Sequence, residues 1–377
     1  MHPRIEENPK KIRLFQNPMP QALDTIPTDT LACGNPHETA EHSSANNESR
    51  ANLLNMDFQS IRSVVDADFN DVNSLIIEQL RTHVPLIEEV GKYIINSGGK
   101  RLRPLVCLLS AKAAGYEGNQ HIDVAAVVEF LHTATLLHDD VVDESNLRRG
   151  KATVNAVWGN APSVLVGDFL ISRSFQMVVN VGDLKVLNII ADATNLIAEG
   201  EVLQLINTGD PDTTEERYFE VIRYKTAKMF EAAAHAGSVL AKPSEAVEEA
   251  FASYADHLGI AFQLIDDVLD YTGNAEEMGK NVGDDLAEGK PTLPLINTLK
   301  QGTPEEQQLI KDAIKHGGLD RIDDITAAVK RCGALDYTIQ KANKEADLAK
   351  AALSEIAEST YKKALLALAD LAVNRSH

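Results

Sequence analysis

The stretch LLHDDVVD, residues 136–143, sets three aspartates directly after apolar residues. It ends the segment 121–143, in which apolar residues recur at three- and four-residue steps, the spacing of one helix face. A second stretch, QLIDDVLD at residues 263–270, ends the similar segment 246–272. A single acidic cluster is usually a solvated helix face or a cap, but two copies with identical spacing are hard to explain that way. The repeat therefore predicts two helices that each carry a functional acidic cluster.

The spacing of the aspartates indicates what they bind. Residues four apart lie on one face of a helix, so Asp139 and Asp143 point the same way, as do Asp266 and Asp270. Stacked carboxylates repel one another and are costly near apolar surface, and a cation removes that cost. Hard oxygen ligands with no nearby Cys suit Mg²⁺ better than Zn²⁺. Since Mg²⁺ is usually held by a few carboxylates together with substrate phosphates, we expect a phosphorylated ligand.

Helical periodicity extends over most of the chain from about residue 58. Aromatic residues make up only 5% of the sequence, and abundant Ala and Leu favour helices. No convincing alternating strand is found. The sequence therefore predicts an all-α, single-domain helical bundle with short connections. The segments with helical period are 72–97, 102–115, 121–143, 160–180, 185–208, 214–240, 246–272, 320–332, 334–356 and 359–374.

Residues 1–55 differ from the remainder of the chain. They hold six of the 14 prolines and sustain no helical period. We expect a disordered N-terminal extension over 1–55, followed by one domain over 56–377.

Bulk composition limits the classes of function. The formal net charge of −20 argues against general nucleic-acid binding, and it requires an anionic substrate to be captured locally by metal and a few placed cations. Cys33, Cys107 and Cys332 have no disulfide or metal-ligand spacing. No run of 18 apolar residues predicts a membrane span, and the acidic N-terminus lacks the apolar core of a signal peptide. We therefore expect a cytoplasmic protein.

Polar residues precede each acidic cluster on the same helical stripe. His132 and Thr135 lie seven and four residues before Asp139, and Gln263 lies three residues before Asp266. Such stripes predict two inward-facing helix surfaces that line a common cavity.

Basic residues occur at two places near the first cluster. The segment GGKRLRP, residues 98–104, puts Lys100 and Arg103 three apart, where they share a face of a helix that begins there. Taken alone, this segment is best explained as a surface turn and a helix cap. Beside two acidic clusters suited to Mg²⁺, it indicates a site for a second phosphate. The segment RRGK, residues 148–151, either neutralises Asp143 and Glu144 or holds a diphosphate beside the metals, and the two roles are compatible.

The region 273–291 is a long loop rich in Gly, Asp and Lys, which is usually functional in a compact domain. It superficially resembles a phosphate-binding P-loop, but five residues separate Gly283 from Gly289 and Pro291 replaces the required Ser or Thr. A lid that closes over phosphate is the better interpretation.

These features, in this order along the chain, resemble the trans-isoprenyl (polyprenyl) diphosphate synthase family. They are the GGKRLRP segment, the two DDxxD motifs, the Lys225-Thr226 pair and the GKNVGDD loop at 279–285, and the resemblance covers roughly residues 58 to 375. The sequences of segments 129–140 and 197–205 are similar to those of bacterial octaprenyl diphosphate synthases. The resemblance implies an all-helical terpenoid-synthase fold and a homodimer, and the lack of a long apolar run predicts no stable membrane insertion.

The resemblance also implies a role for each motif residue. The catalytic set would be Asp139, Asp140, Asp143, Asp266, Asp267, Asp270 and Lys225, with Mg²⁺, more than one ion per site, on Asp139, Asp143 and Asp266. Isopentenyl diphosphate would be bound by Lys100, Arg103, His132 and Arg149, and the allylic diphosphate by Arg148, Lys225, Thr226, Gln263 and Lys280.

The helix before the first cluster predicts the length of the product. The growing tail would run past Ala134 and Thr135, and then past Leu131 one turn further. Short-chain members of the family place aromatic residues near these positions. The small residues Ala134 and Thr135 predict a long product. The resemblance implies that this product is octaprenyl diphosphate, built on a farnesyl starter for a quinone side chain, or alternatively a nonaprenyl or heptaprenyl chain.

Two other hypotheses belong to different classes. A class I terpene cyclase usually lacks the second DDxxD motif and the GGKR segment, and both are present. A non-enzymatic partner subunit typically loses its acidic clusters, whereas this chain retains both.

Overall fold

The computed structural model describes residues 56–272 and 283–375. The predicted extension over 1–55 and the predicted ligand Lys280 lie outside the described residues. The first half comprises α1 (Phe58–Ser63), α2 (Asp66–Gln79), α3 (Pro85–Ile95), α4 (Leu102–Ala113), α5 (Gln120–Val142), β1 (Leu147–Arg148), β2 (Lys151–Ala152), α6 (Val154–Trp158), α7 (Asn160–Val181) and α8 (Leu184–Asn207). The second half comprises α9 (Glu215–Ile222), a π-helical turn (Arg223–Ala227), α10 (Lys228–Val239), α11 (Glu245–Thr272), α12 (Asp284–Ala287), α13 (Leu293–Gln301), α14 (Pro304–His316), a 3₁₀ turn (Leu319–Arg321), α15 (Ile322–Arg331), α16 (Ala334–Ala352) and α17 (Thr360–Asn374).

The predicted all-α class is confirmed, and most predicted segments coincide with helices to within a few residues. The segment predicted at 72–97 is instead two helices, because Pro85 stands at the start of α3 and lacks the N–H that a continuous helix needs. Helices α13 and α14 were not predicted. The start of α14 carried a readable signal, a capping box in which the Thr303 and Glu306 side chains each bond the other's backbone N–H.

The core positions both acidic clusters. Helix α5 packs along α7 and against α4, α4 packs on α10, and α10 packs on α11, which also lies along α16. Large side chains such as Phe130 of α5, Phe230 of α10 and Phe251 of α11 are fully buried between these helices. Each contributes roughly 1.5–3 kcal/mol by burial. The two helices that carry the clusters are therefore held firmly within one core.

Both clusters lie near the C-terminal ends of their helices. Helix α5 ends at Val142 with Asp143 as its C-cap, and α11 ends at Thr272, two residues after Asp270. The helix dipole places partial negative charge at a C-terminus, which disfavours carboxylates and favours cations there. The dipoles therefore add to the repulsion within each cluster.

Helix α7 is long and apolar enough to cross a membrane by length and composition, with a mean hydropathy of 1.3. It packs along α5 in the bundle and carries Asp168 and Arg173. A core helix of a soluble protein passes the same test, so this observation is weak evidence for a span.

Candidate active site

A cavity of about 940 Å³ opens between the C-terminal ends of α5 and α11. Asp139 and Asp143 line it from one side, and Asp266 and Asp267 line it from the other. The structure thus brings the two motifs together around one space, as their repeated spacing predicted. Cationic side chains line the same cavity, namely Arg62, Lys100, Arg101, Arg103, Arg148, Arg149, Lys225, Lys290 and Arg375.

Every aspartate of the first cluster faces a cation. The Nζ of Lys225 lies 3.4 Å from Oδ2 of Asp139, and the Nζ of Lys290 lies 3.0 Å from Oδ2 of Asp143. Asp140 points away from the cavity and is fully buried. Nε of Arg148 donates to its Oδ1 at 2.8 Å, and Nη2 lies 2.7 Å from the same atom.

The pairing of Asp140 with Arg148 bears on the first of the two roles left open for the RRGK segment, and the second, binding a diphosphate, stays a prediction. Arg148 neutralises an aspartate, but this aspartate is Asp140, whereas Asp143 is neutralised by Lys290. Burial raises the pKa of Asp140, although the bonds from Arg148 oppose the rise. The guanidinium of Arg148 still lines the cavity, so a diphosphate can reach it there.

Lys225 connects the first cluster to α8. Its Nζ donates to Oε2 of Glu201 at 2.6 Å as well as facing Asp139. Burial disfavours the ammonium, but Asp139 and Glu201 outweigh it and raise the pKa of Lys225. Burial and the nearby Asp139 raise the pKa of Glu201 to about 7. The ammonium of Lys225 is therefore charged and already aimed at the cavity.

The second cluster is held differently. Nη2 of Arg375 lies 2.6 Å from Oδ1 of Asp266, and the same guanidinium stacks 3.7 Å from the ring centre of Phe262. Asp267 is buried and accepts two bonds, from the hydroxyl of Tyr218 at 2.5 Å and from Nε2 of Gln263 at 2.9 Å. Burial and the nearby carboxylate of Asp285 raise the pKa of Asp267 to about 8. Asp270, the last aspartate of the motif, is buried.

The predicted residues for isopentenyl diphosphate form one corner of the cavity. Nη1 of Arg103 lies 3.1 Å from Nε2 of His132, and the Arg103 guanidinium sits 4.4 Å from the ring centre of Phe230. Burial lowers the pKa of Arg103 to about 10, and burial together with Arg103 lowers the pKa of His132 well below its ordinary value. A neutral His132 accepts a hydrogen bond from Nη1 of Arg103 and so orients the guanidinium. Lys100 and Arg149 line the same cavity.

The three residues predicted to set product length do not all line the cavity. Thr135 lines the cavity, whereas Leu131 and Ala134 are packed into the core of the bundle and do not. Their role in chain length stays a prediction.

Sequence reasoning missed several residues of the site. Glu201 lies on α8, Tyr218 on α9, Lys290 just before α13 and Arg375 just after α17. Two of them carried a signal: Lys290 belongs to the GKPT string that was compared with a P-loop, and Glu201 lies within the segment 197–205 that carries the family resemblance. The others come from single residues in ordinary helical surroundings.

The ligand chemistry fits Mg²⁺ only with help from a substrate. Within 56–272 and 283–375, no three His, Cys, Asp or Glu side chains are grouped closely enough to hold an ion by themselves. Carboxylates from two opposed walls, together with diphosphate oxygens, supply the hard oxygen ligands that Mg²⁺ takes in such sites. The residues therefore fit a metal–diphosphate complex better than a bare ion.

Comparisons with known proteins agree with this geometry. Residues 84–332 match the family model described as polyprenyl synthetase. Octaprenyl diphosphate synthase of Escherichia coli (strain K12) is 52% identical over 321 residues, which is 85% of this chain and 99% of that protein. All-trans-nonaprenyl-diphosphate synthase (geranyl-diphosphate specific) of Rhodobacter capsulatus is 46% identical over 318 residues, 84% of this chain and 98% of that protein.

A solved structure of a relative also superposes well. Polyprenyl synthase from Caulobacter crescentus CB15, complexed with calcium and isoprenyl diphosphate, has a TM-score of 0.83 and 43% identity, covering 85% of this chain and 98% of its own. The predicted resemblance and the predicted prenyltransferase class are thereby confirmed. The chain belongs to the polyprenyl synthetase family.

Proposed function

We propose that this protein is a Mg²⁺-dependent long-chain polyprenyl diphosphate synthase. It adds isopentenyl diphosphate units to an allylic diphosphate, with farnesyl diphosphate as starter, and makes octaprenyl diphosphate for a quinone side chain. The single observation that carries the proposal is the cavity lined by both acidic clusters and by the basic residues between them. Two diphosphates and their counter-charges need this arrangement of opposed acids and intervening bases.

The side of the cavity that Asp139 and Asp143 line, the first wall, holds the allylic diphosphate. Asp139 and Asp143 face the cavity and take the metal, while buried Asp140 holds Arg148 in place. Lys225 and Arg148 present their charges to the same space, and Lys290 joins them although it was not predicted.

The side of the cavity that Asp266 and Asp267 line, the second wall, completes the metal site. Asp266 lines the cavity as a metal ligand. Asp267 has a raised pKa and accepts hydrogen bonds from two neutral donors, so its role is to orient Gln263. The Oε1 atom of Gln263 in turn accepts a hydrogen bond from the hydroxyl of Thr226 at 3.0 Å. Asp270 lies one turn further along α11. Lys100, Arg103, His132 and Arg149 bind isopentenyl diphosphate in the opposite corner.

The charges account for the chemistry. Breaking the allylic C–O bond leaves a carbocation and a diphosphate anion, and bound Mg²⁺ supplies Lewis-acid stabilisation of that anion. The ammonium of Lys225, fixed by Glu201, stabilises the charge that develops on the leaving group. Apolar side chains on the cavity wall, among them Leu136, Phe230 and Phe262, keep water from the cation. The double bond of isopentenyl diphosphate attacks, and the departing diphosphate takes the proton, so no protein nucleophile is required.

A homodimer is the second part of the proposal. Apolar side chains stand exposed along α7 and α8, including Leu165, Val179, Val202 and Leu205. Exposed apolar surface of this kind typically marks an interface between proteins. We expect light scattering to give twice the chain mass, and Leu165→Glu with Leu205→Glu to give the chain mass. The proposed location is the bacterial cytoplasm, without stable membrane insertion.

One assay tests the proposed activity. The protein is incubated with farnesyl diphosphate, labelled isopentenyl diphosphate and Mg²⁺, and the dephosphorylated products are separated by chromatography. A long linear alcohol supports the proposal, and its length distinguishes octaprenyl from nonaprenyl or heptaprenyl. A cyclised hydrocarbon from farnesyl diphosphate alone would identify a terpene cyclase. Full turnover after chelation of all divalent ions contradicts the metal chemistry.

A further inference from the structure

The turn that carries Lys225 and Thr226 is not α-helical. Residues Arg223–Ala227 form a π-helical turn, in which the N–H of Lys228 donates to the carbonyl of Arg223 five residues back. An extra residue in a helical turn is unfavourable unless the surroundings hold it, and such turns occur frequently at functional sites. What holds this turn is therefore part of how the site is built.

On one side the turn lies against α8 at Gly200. A methyl group on Gly200 would stand 2.7 Å from the backbone nitrogen of Lys225 and 2.8 Å from Cβ of Tyr224. Ordinary contacts between such atoms are about 3.5 Å or longer, so only glycine admits the turn at this distance. The next residue, Glu201, receives the ammonium of Lys225 at 2.6 Å.

On the other side the turn lies against α11 at Gly259. A methyl group there would stand 2.5 Å from Cα of Ala227 and 2.9 Å from its Cβ. One turn further along α11, Oε1 of Gln263 accepts a hydrogen bond from the hydroxyl of Thr226, and Nε2 of Gln263 donates a hydrogen bond to Asp267. The turn is thus seated between two glycines, each followed on its own helix by a side chain that binds the turn.

We propose that Gly200 and Gly259 are positioning residues that fix the π-helical turn, so that Lys225 reaches Asp139 of the first acidic cluster and Thr226 reaches Gln263 beside the second. The inference rests on the proposed function, because it assigns the turn to the allylic diphosphate. Glycine in a helix interior is otherwise unfavourable relative to alanine, so its presence here needs a packing reason. The close approach to the turn supplies that reason.

The test compares Gly200→Ala and Gly259→Ala with Gly237→Ala. Gly237 on α10 is a matched control, since a methyl group there would stand 2.5 Å from the carbonyl oxygen of Cys107, at a backbone remote from the turn. We expect all three variants to lose thermal stability. Only the first two should lower kcat, by about 100-fold, because a displacement of roughly 1 Å costs that much. In those two, KM for isopentenyl diphosphate should change by less than about twofold.

A binding measurement separates positioning from loss of folded protein. Calorimetry with a non-reactive farnesyl thiolodiphosphate should show weakened binding to Gly200→Ala and Gly259→Ala, and ordinary binding to Gly237→Ala. If either glycine variant does not fold, Glu201→Gln provides the second test. It leaves the close approach intact and removes the charge that holds Lys225, so it should weaken analogue binding by about 10-fold.

The outcomes distinguish two failures. If the wild-type protein makes no prenyl product, the proposed function is wrong. If the wild type is active but the two glycine variants match Gly237→Ala in kcat and in analogue binding, the inference is wrong while the proposed function stands. Unchanged analogue binding in Glu201→Gln overturns the inference in the same way.

Discussion

Each aspartate of the first cluster lies against a lysine or arginine side chain, whereas the middle aspartate of the second cluster is held by neutral groups. In the second cluster Asp266 pairs with Arg375, and among the described residues Asp267 accepts hydrogen bonds from Tyr218 and Gln263, both neutral. Two stretches with the same motif at the same end of a helix therefore have different electrostatics. The difference comes from neighbouring elements, because a carboxylate's charge state follows its burial and partners rather than its motif.

The largest expected effect is a loss of prenyl transfer of similar size when either cluster loses one charged aspartate. Asp139→Asn and Asp266→Asn each remove one negative charge from the cavity, and each should lower prenyl transfer by about 1000-fold because both walls stabilise the same transition state. Steady-state assays over a range of Mg²⁺ concentrations measure the effect and should show a raised Mg²⁺ requirement. If Asp266→Asn turned over substrate within a few-fold of wild type, the expectation that the two clusters contribute equally to catalysis would be wrong.

The second effect separates the middle aspartates of the two motifs. Asp140 and Asp267 are both buried, but only Asp140 is paired with a guanidinium. Asp140→Asn leaves Arg148 without its counter-charge and should lower the free energy of unfolding by about 3 kcal/mol. Asp267→Asn should cost about 1 kcal/mol or less at pH 8, since its partners are neutral. Urea unfolding of both variants checks the contrast, and equal losses would contradict it.

A third effect concerns pH. Burial raises the pKa of Asp267 from 3.8 to about 8, so the folded state binds this proton more tightly than the unfolded state. The group then favours folding at low pH, and this contribution is lost as pH rises from about 4 to 8. In metal-free buffer, the unfolding free energy of wild type relative to Asp267→Asn should fall between pH 5 and pH 8. A constant difference between the two proteins would show that Asp267 titrates normally.

The smallest effect concerns where the growing chain leaves the first wall. Ala134→Phe should shorten the main product, because the ring would close the path one turn before Asp139. Ala125 is a matched control: it is equally buried, and nine residues, or 2.5 turns, place it on the opposite face of α5. Ala125→Phe should cause a similar overpacking loss without a shift in product length. An unchanged chain length in Ala134→Phe would disprove the tunnel argument.

Helical periodicity made much of this architecture predictable. It indicates which side chains share a face, so both clusters, His132 and Gln263 were expected to line one cavity. Asp139, Asp143, Asp266, Asp267, His132 and Gln263 do line it, whereas Asp140 and Asp270 are buried and do not. The break at Pro85 and the cap at Thr303 were also readable, although the first was not used and the second was overlooked.

The remainder depends on contacts between residues distant in sequence. The π-helical turn is packed against two glycines from other helices, and nothing within Arg223–Ala227 distinguishes it from an α-helix. Arg375 reaches Asp266 only because α17 ends beside α11. The choice of Asp140 over Asp143 as the partner of Arg148 depends on the short hairpin of β1 and β2 that follows α5. Spacing alone carries none of this information.

The lysines that cover Asp139 and Asp143 have a consequence for the order of loading. A metal ion that bound alone would have to displace the paired ammonium groups, and a diphosphate that bound alone would lie beside carboxylates without a metal to neutralise them. If both were bound together, the lysines would be free to turn to the phosphates and the aspartates to the ion, so each ligand would remove the obstacle to the other. We therefore expect cooperative loading: a diphosphate should raise the affinity for Mg²⁺, and Mg²⁺ should raise the affinity for the diphosphate by the same factor.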